Sequence, residues 1–152
     1  MKARHHVLAG TVAASALIPV LGANSAVFWA ASILIDGDHY LDYVYRNELK
    51  DFSIKGMFRF YDSLREVLRE EGIRRCFLTI SLLHTLEALG FFYFAGELTD
   101  WLWLRSVFWG MVFHVFTDLF NQFVTNGRIT GRALSIVEYQ VRWRYMNRQG
   151  CR

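Results

Sequence analysis

The chain is 152 residues long, room for one domain with a single core. Hydrophobic residues make up 53% of it, aromatics 16%, and proline occurs once, a balance that points to helices rather than sheets. The net charge of +3 is mostly arginine, yet no basic stripe with interleaved aromatics runs along one face, which argues against a nucleic-acid partner.

The first segment, from Val7 to Ile35, contains no charged side chain. It is too long for one comfortable membrane crossing and is interrupted by "PVLGANS". Two short helices in a hairpin, joined near Pro19 to Ser25, are expected. The start, "MKARHHVLAG", has the basic-then-apolar order of a signal peptide. The small-x-small pattern near Ala26 is poor, however, and apolar sequence resumes with "VFWAASILI", so the segment is expected to be retained. The hairpin ends in "DGDHYLDY", which sets Asp36, Asp38, His39 and Asp42 close together.

Residues 46–75 are densely charged. Within them, Met57, Phe60, Tyr61, Leu64, Val67 and Leu68 recur at helical spacing against a charged opposite face, the pattern of a helix lying on a surface. Phe77 to Gly96 has the roughly 20 residues a bilayer crossing needs. Trp101 to Phe123 is of similar length but contains Arg105, His114 and Asp118. A helix stop is expected at Asn126 and Gly127. Beyond it, in the basic segment 128–152, Leu134, Val137, Val141 and Tyr145 line one side of a second surface helix beside Arg142, Arg144 and Arg148.

The expected fold is thus all-α: one membrane-associated domain over 1–152, with an N-terminal helical hairpin, two transmembrane helices and two amphipathic surface helices. The distribution of Lys and Arg places both termini and 46–75 in the cytoplasm and the loop "GELTD" outside. That is the topology of an inner (plasma) membrane protein, with membrane lipid as its partner. Cys76 and Cys151 stand outside any CxxC pair, so neither a disulfide framework nor a thiolate metal site is expected.

Ionisable side chains inside apolar helices are costly, about 2.5–3.5 kcal/mol each on insertion scales. Several here fall into groups. His84 has Glu87 at i+3, and His114 has Asp118 at i+4, each on one helical face. Bundle metal sites are assembled from such pairs. At 1.5 Å rise per residue His84, His114 and Asp118 fall roughly 8–14 Å in from one membrane face, and Asp36, Asp38 and His39 end the hairpin, and His6 begins it, on that same side. A shared metal explains them together; a solvated helix end and separately buried histidines explain them one at a time.

The motifs "HHVLAG", "LIDGDHYLDY", "LLHTLEALG" and "VFHVFTDLF", in this order, resemble the YdjM-like family of inner-membrane-associated, metal-dependent hydrolases, and more distantly the helical bundles of zinc-dependent phospholipase C and S1/P1 nuclease. Ile35 stands where that family usually has Pro. The resemblance implies His6, Asp36, Asp38, His39, His84, His114 and Asp118 as metal ligands.

Histidine with carboxylate, and no cysteine, suits Zn, with Mn or Fe as alternatives, rather than Ca. Seven ligands fit one or two divalent ions, with Asp38 or Asp118 bridging. Paired metals activate water and neutralise charge on a phosphoryl group. The expected activity is metal-dependent hydrolysis of a phosphoester, either a phospholipid or a lipid-linked phosphate. Glu87 is expected either to support a ligand from behind or to act as general base, and Asp38, a candidate bridging carboxylate, is the second expected catalytic residue. Two other readings compete: a non-catalytic metal- or haem-binding membrane protein, and a small structural membrane subunit.

Overall fold

A computed structural model describes residues 3–67, 78–126 and 132–148. The described chain is helical apart from one short strand pairing. In order it runs α1 (Ala3–Leu21), α2 (Asn24–Leu34), α3 (Gly37–Arg46), α4 (Ile54–Val67), β1 (Thr79–Ile80), a 3-10 turn (Leu82–His84), α5 (Leu86–Thr99), α6 (Leu102–Asn126), β2 (Arg132–Ala133) and α7 (Ile136–Arg148). It divides into two compact units: unit 1 takes residues up to Ile35 and from Leu83 to Thr130, and unit 2 takes Asp36–Leu82 and the chain from Gly131. The expected amphipathic residue Leu68, the helix stop at Gly127, and both cysteines lie outside the described residues.

Unit 1 is built from α1, α2, α5 and α6. The expected hairpin is present, but Pro19 lies inside α1 and the chain turns three residues later. Gly22 adopts the left-handed conformation (φ +54°), and its N–H bonds back to the Ile18 carbonyl at 2.9 Å, which ends α1. Ser25 then donates its hydroxyl to the Gly22 carbonyl at 2.8 Å and starts α2. On α6, Gly110 faces α2 so closely that a methyl group there would collide with the Phe28 carbonyl and stand 2.9 Å from Ala31 Cβ. Ile35, Met111 and Val115 form the apolar centre, flanked by Ala88, Leu89 and Phe92 from α5 and Val107 and Leu119 from α6.

Unit 2 holds α3, α4, α7 and the strands. β1 and β2 pair in parallel, with Thr79 opposite Arg132 and Ile80 opposite Ala133. Between α3 and α4, Asn47 Nδ2 donates to the Asp51 carbonyl at 2.7 Å, and the Tyr43 hydroxyl donates to the Asp51 carboxylate. α7 buries no residue completely; Val137, Val141 and Tyr145, expected along one side, are all exposed.

The two expected transmembrane helices are not there: among the described residues no helix is long and apolar enough to cross a membrane. The stretch Phe77 to Gly96 does not form one helix. Thr79 and Ile80 pair as a strand, and Thr85 then takes an extended conformation and caps α5, accepting the Ala88 N–H at 3.2 Å. The 14 residues of α5 span about 21 Å at 1.5 Å each, against about 30 Å of hydrocarbon. The 25-residue α6 has the length, but Arg105, His114 and Asp118 dilute its apolar character. The sidedness read from Lys and Arg presupposed those crossings.

Two measurements check this packing. Gly110→Ala should lower stability by about 1–3 kcal/mol, because α2 must shift to admit the methyl group. Gly90→Ala on α5, with nothing within 4 Å of the added carbon, should be neutral or raise stability by up to about 1 kcal/mol. Thermal melting followed by circular dichroism reads both. In unit 2 the Tyr43 hydrogen bond holds the Asp51 carboxyl below its ordinary value of 3.8. A carboxyl depressed on folding contributes stability that is present above 3.8 and lost as pH falls through its folded value. Tyr43→Phe should return the Asp51 titration toward 3.8, followed by carboxyl carbon NMR.

Candidate metal centre

Among the described residues, the largest side chains with almost no exposure are polar. They are His84, His114, Thr85, Ser32 and Ser106, all in unit 1. The hydroxyls find acceptors nearby: Ser32 Oγ donates to the Trp29 carbonyl at 2.8 Å and Ser106 Oγ to the Leu102 carbonyl at 2.9 Å. Such bonds suffice for hydroxyls, since a buried hydroxyl needs only one good partner.

His114 is held differently. Its Nδ1 lies 2.6 Å from the carbonyl oxygen of Ser32, in the last turn of α2. A carbonyl can only accept, so Nδ1 carries a proton, and the lone pair of the neutral tautomer is then on Nε2. Nε2 faces Asp118 Oδ2 at 3.9 Å, one turn along α6. His6, on the first turns of α1, stacks on His114 with ring centroids 4.2 Å apart and planes 15° from parallel. Its Nε2 is 3.0 Å from the other carboxylate oxygen, Asp118 Oδ1. His6, His114 and Asp118 thus offer ligand atoms all within 4.8 Å of one another, a group that can hold a metal ion. Ligand atoms about 2.0–2.1 Å from a tetrahedral Zn stand roughly 3.3 Å apart, so these spacings suit one. A ligating histidine whose other nitrogen donates to a backbone carbonyl is a common arrangement at metal sites.

His84 lies edge-on to His114, with centroids 5.1 Å apart and planes 71° from parallel. It ends the 3-10 turn ahead of the Thr85 cap, so His84 and Glu87 share no helical face. Glu87 is exposed in the first turn of α5, where the positive end of the helix dipole favours a carboxylate. The two therefore stand on different elements rather than on one helix.

The remaining expected ligands, Asp36, Asp38 and His39, gather in unit 2 at the start of α3. Asp36 occupies the N-cap position, yet its side chain makes no capping bond. Its Oδ1 lies 3.6 Å from His39 Nε2. Asp38, buried, lies 4.0 Å from His39 Nδ1, and the Ser81 hydroxyl lies 3.4 Å from the same nitrogen. Asp36 and His39 are each about one-third exposed, so this group is far more open than the one in unit 1.

Three contributors were not apparent in the sequence. Ser32 acts through its carbonyl, which any residue type supplies. Gly110 permits the approach of α2 and belongs to a Gly-x3-His-x3-Asp spacing (110, 114, 118) that could have pointed to it. Tyr61, expected on an apolar helical face, instead turns its hydroxyl to the His39 carbonyl and to Asp42 Oδ2, both at 3.0 Å. Burial, and after it the Asp42 charge, push this phenol well above its usual range, so it stays protonated.

Zn added in excess should raise the melting temperature, since ligand at 100 times Kd adds about 2.7 kcal/mol. Asp118→Asn should remove most of that shift, and a full shift in the variant would show that the ion sits elsewhere.

Set beside family models, curated proteins and solved structures, the chain matches none.

Proposed function

We propose that this chain is a divalent-metal-dependent hydrolase acting on phosphoesters, with His6, His114 and Asp118 holding an ion in unit 1. The observation that carries this reading is the direction of His114: its Nδ1 proton is committed to the Ser32 carbonyl, which aims Nε2 at Asp118 and His6. Histidine and carboxylate without thiolate favour Zn, with Mn or Fe as alternatives. His84 is the next imidazole in unit 1 and a further donor. In unit 2, Asp36, Asp38 and His39 are proposed as a second donor set.

A bound divalent ion supplies a water of lowered pKa and positive charge for a developing phosphoryl oxyanion. The chain's own residues do the rest. Asp118 directs one oxygen to each imidazole and so fixes both rings. The Ser32 carbonyl keeps His114 in one tautomer, and burial of His6 and His114 keeps bulk water from competing for their nitrogens. Exposed Leu8, Val12, Phe94, Phe116 and Phe120 on unit 1 support an ester carried on an apolar tail, such as a phospholipid or lipid-linked phosphate. The near-parallel stacking of His6 on His114 speaks against haem, because rings 4.2 Å apart leave no room for a porphyrin between them.

The test compares bis(p-nitrophenyl) phosphate with a phospholipid in mixed micelles, for the Zn-, Mn- and Fe-loaded protein. Hydrolysis should disappear with chelator, return with metal, and fall by roughly 100-fold or more in Asp118→Asn, as the loss of several kcal/mol of barrier lowering implies. Stoichiometric metal without hydrolysis of either ester would favour the non-catalytic metal-binding reading.

A further inference from the structure

The charge on α7 is one-sided. From Gly127 to Arg152 the sequence holds six arginines, no lysine and one acid, Glu138. That acid is committed to the helix itself. Ser135 opens α7 by accepting the Val137 N–H at 3.1 Å, and Glu138 reaches back to the Leu134 N–H at 2.8 Å. The other Glu138 oxygen accepts from Arg142 Nη1 at 3.0 Å, one turn on. Arg144 and Arg148 differ: among the described residues no carboxylate pairs with either. They continue a stripe begun by Val137 and Val141, at i, i+4, i+7 and i+11, which is one helical face. All four side chains are exposed, Val137 at 66% and Val141 at 63%, and Tyr145, one turn beyond Val141, is as exposed as they are.

A face meant for water ordinarily intersperses both signs of charge. This one carries positive charge alone, set beside aliphatic carbon, and that pairing identifies its occupant. The phosphates of a nucleic acid would satisfy the arginines and leave the valines in water. A purely apolar partner would bury the valines and strand two guanidinium groups. An anionic lipid surface offers both, a layer of phosphate above acyl chains. We propose that α7 docks on such a surface, with Val137 and Val141 entering the acyl boundary and Arg144 and Arg148 holding lipid phosphates. The stems of the two arginines lie along the apolar stripe while their heads reach the headgroups, and a guanidinium binds phosphate through two parallel N–H groups. The helix lies in the interface and crosses nothing, in keeping with its 13 residues. This docking needs neither an ion nor hydrolysis in unit 1, so it stands apart from the proposed activity.

The test sediments the full-length protein with vesicles of phosphatidylcholine alone, or of phosphatidylcholine mixed with phosphatidylserine, at rising salt. Affinity for the mixed vesicles should exceed that for the neutral ones and should fall as salt screens the surface. Arg144→Gln/Arg148→Gln should weaken binding to the mixed vesicles roughly 30-fold, at about 1 kcal/mol for each charge removed. Glutamine and arginine have similar helix propensity, so α7 stays folded, which circular dichroism checks. Lys55→Gln/Arg59→Gln is the control: it removes the same charge from exposed positions on α4 and should leave affinity near wild type. Val137→Ser/Val141→Ser should also lose affinity, because the valines leave water on docking. Equal affinity of the wild type for both vesicles overturns the proposal, as does wild-type affinity in the arginine variant or an equal loss in the α4 control. Wild-type affinity in the valine variant overturns it too, since the attraction is then diffuse charge alone. Binding to a single-stranded oligonucleotide in place of the mixed vesicles, lost in the arginine variant, would assign the face to nucleic acid instead.

Discussion

The hydrogen bond from His114 Nδ1 to the Ser32 carbonyl joins the packing of unit 1 to its chemistry. Ser32 lies in the last turn of α2, where backbone carbonyls have no partner within the helix. These carbonyls also carry the negative end of the helix dipole, a favourable place for an imidazole N–H. His114 can reach 2.6 Å only because Gly110, one turn earlier on α6, lets the two backbones nearly touch. One turn later Asp118 receives the direction that this bond imposes. Glycine, histidine and aspartate at steps of four thus make one device. The first sets the distance between helices, the second reads it as a hydrogen bond, and the third takes up the resulting orientation.

The same device bears on the polarity of unit 1, where His84, His114, Thr85, Ser32 and Ser106 are buried beside an apolar centre of Ile35, Met111 and Val115. A purely apolar interior would gain roughly 25 cal/mol per Å² buried with no constraint on direction. An interior of histidine and serine gains less and must satisfy every donor, so it tolerates far fewer arrangements. Such an interior is hard to account for as packing alone. Asp118, mostly buried, has an imidazole nitrogen beside each of its oxygens, and a carboxylate withdrawn from water needs such partners.

Much of the helical order was legible, since the features behind it are local. An uncharged run containing Pro19 and Gly22 announces a hairpin, and alternation of apolar and charged residues announces α4. Within the expected joint of Pro19 to Ser25 the break falls at Gly22, because a proline in a last turn forfeits little, whereas a left-handed backbone ends a helix outright. The membrane crossings failed for the opposite reason. Composition over Phe77 to Gly96 cannot show that Thr79 and Ile80 pair with residues more than fifty positions later, nor that Thr85 is extended. Once Thr85 caps α5, Glu87 falls in the first turn of that helix and His84 before it. The grouping of His114 with Asp118 was readable from their spacing on one helix. Its third member, His6, needed the fold, because only the packing of α1 against α6 brings residue 6 to residue 118.

The two donor groups repeat one chemical idea with different supports. In each, a histidine has Nδ1 near an oxygen, the Ser32 carbonyl or the Ser81 hydroxyl, and Nε2 near a carboxylate one turn away in sequence. His114 is fixed by backbone, at 2.6 Å and fully buried, so its direction cannot change unless α2 and α6 separate. His39 has its ring nitrogens beside the side chains of Ser81, Asp38 and Asp36 at 3.4–4.0 Å and is one-third exposed. Burial slows exchange of an ion and exposure permits it.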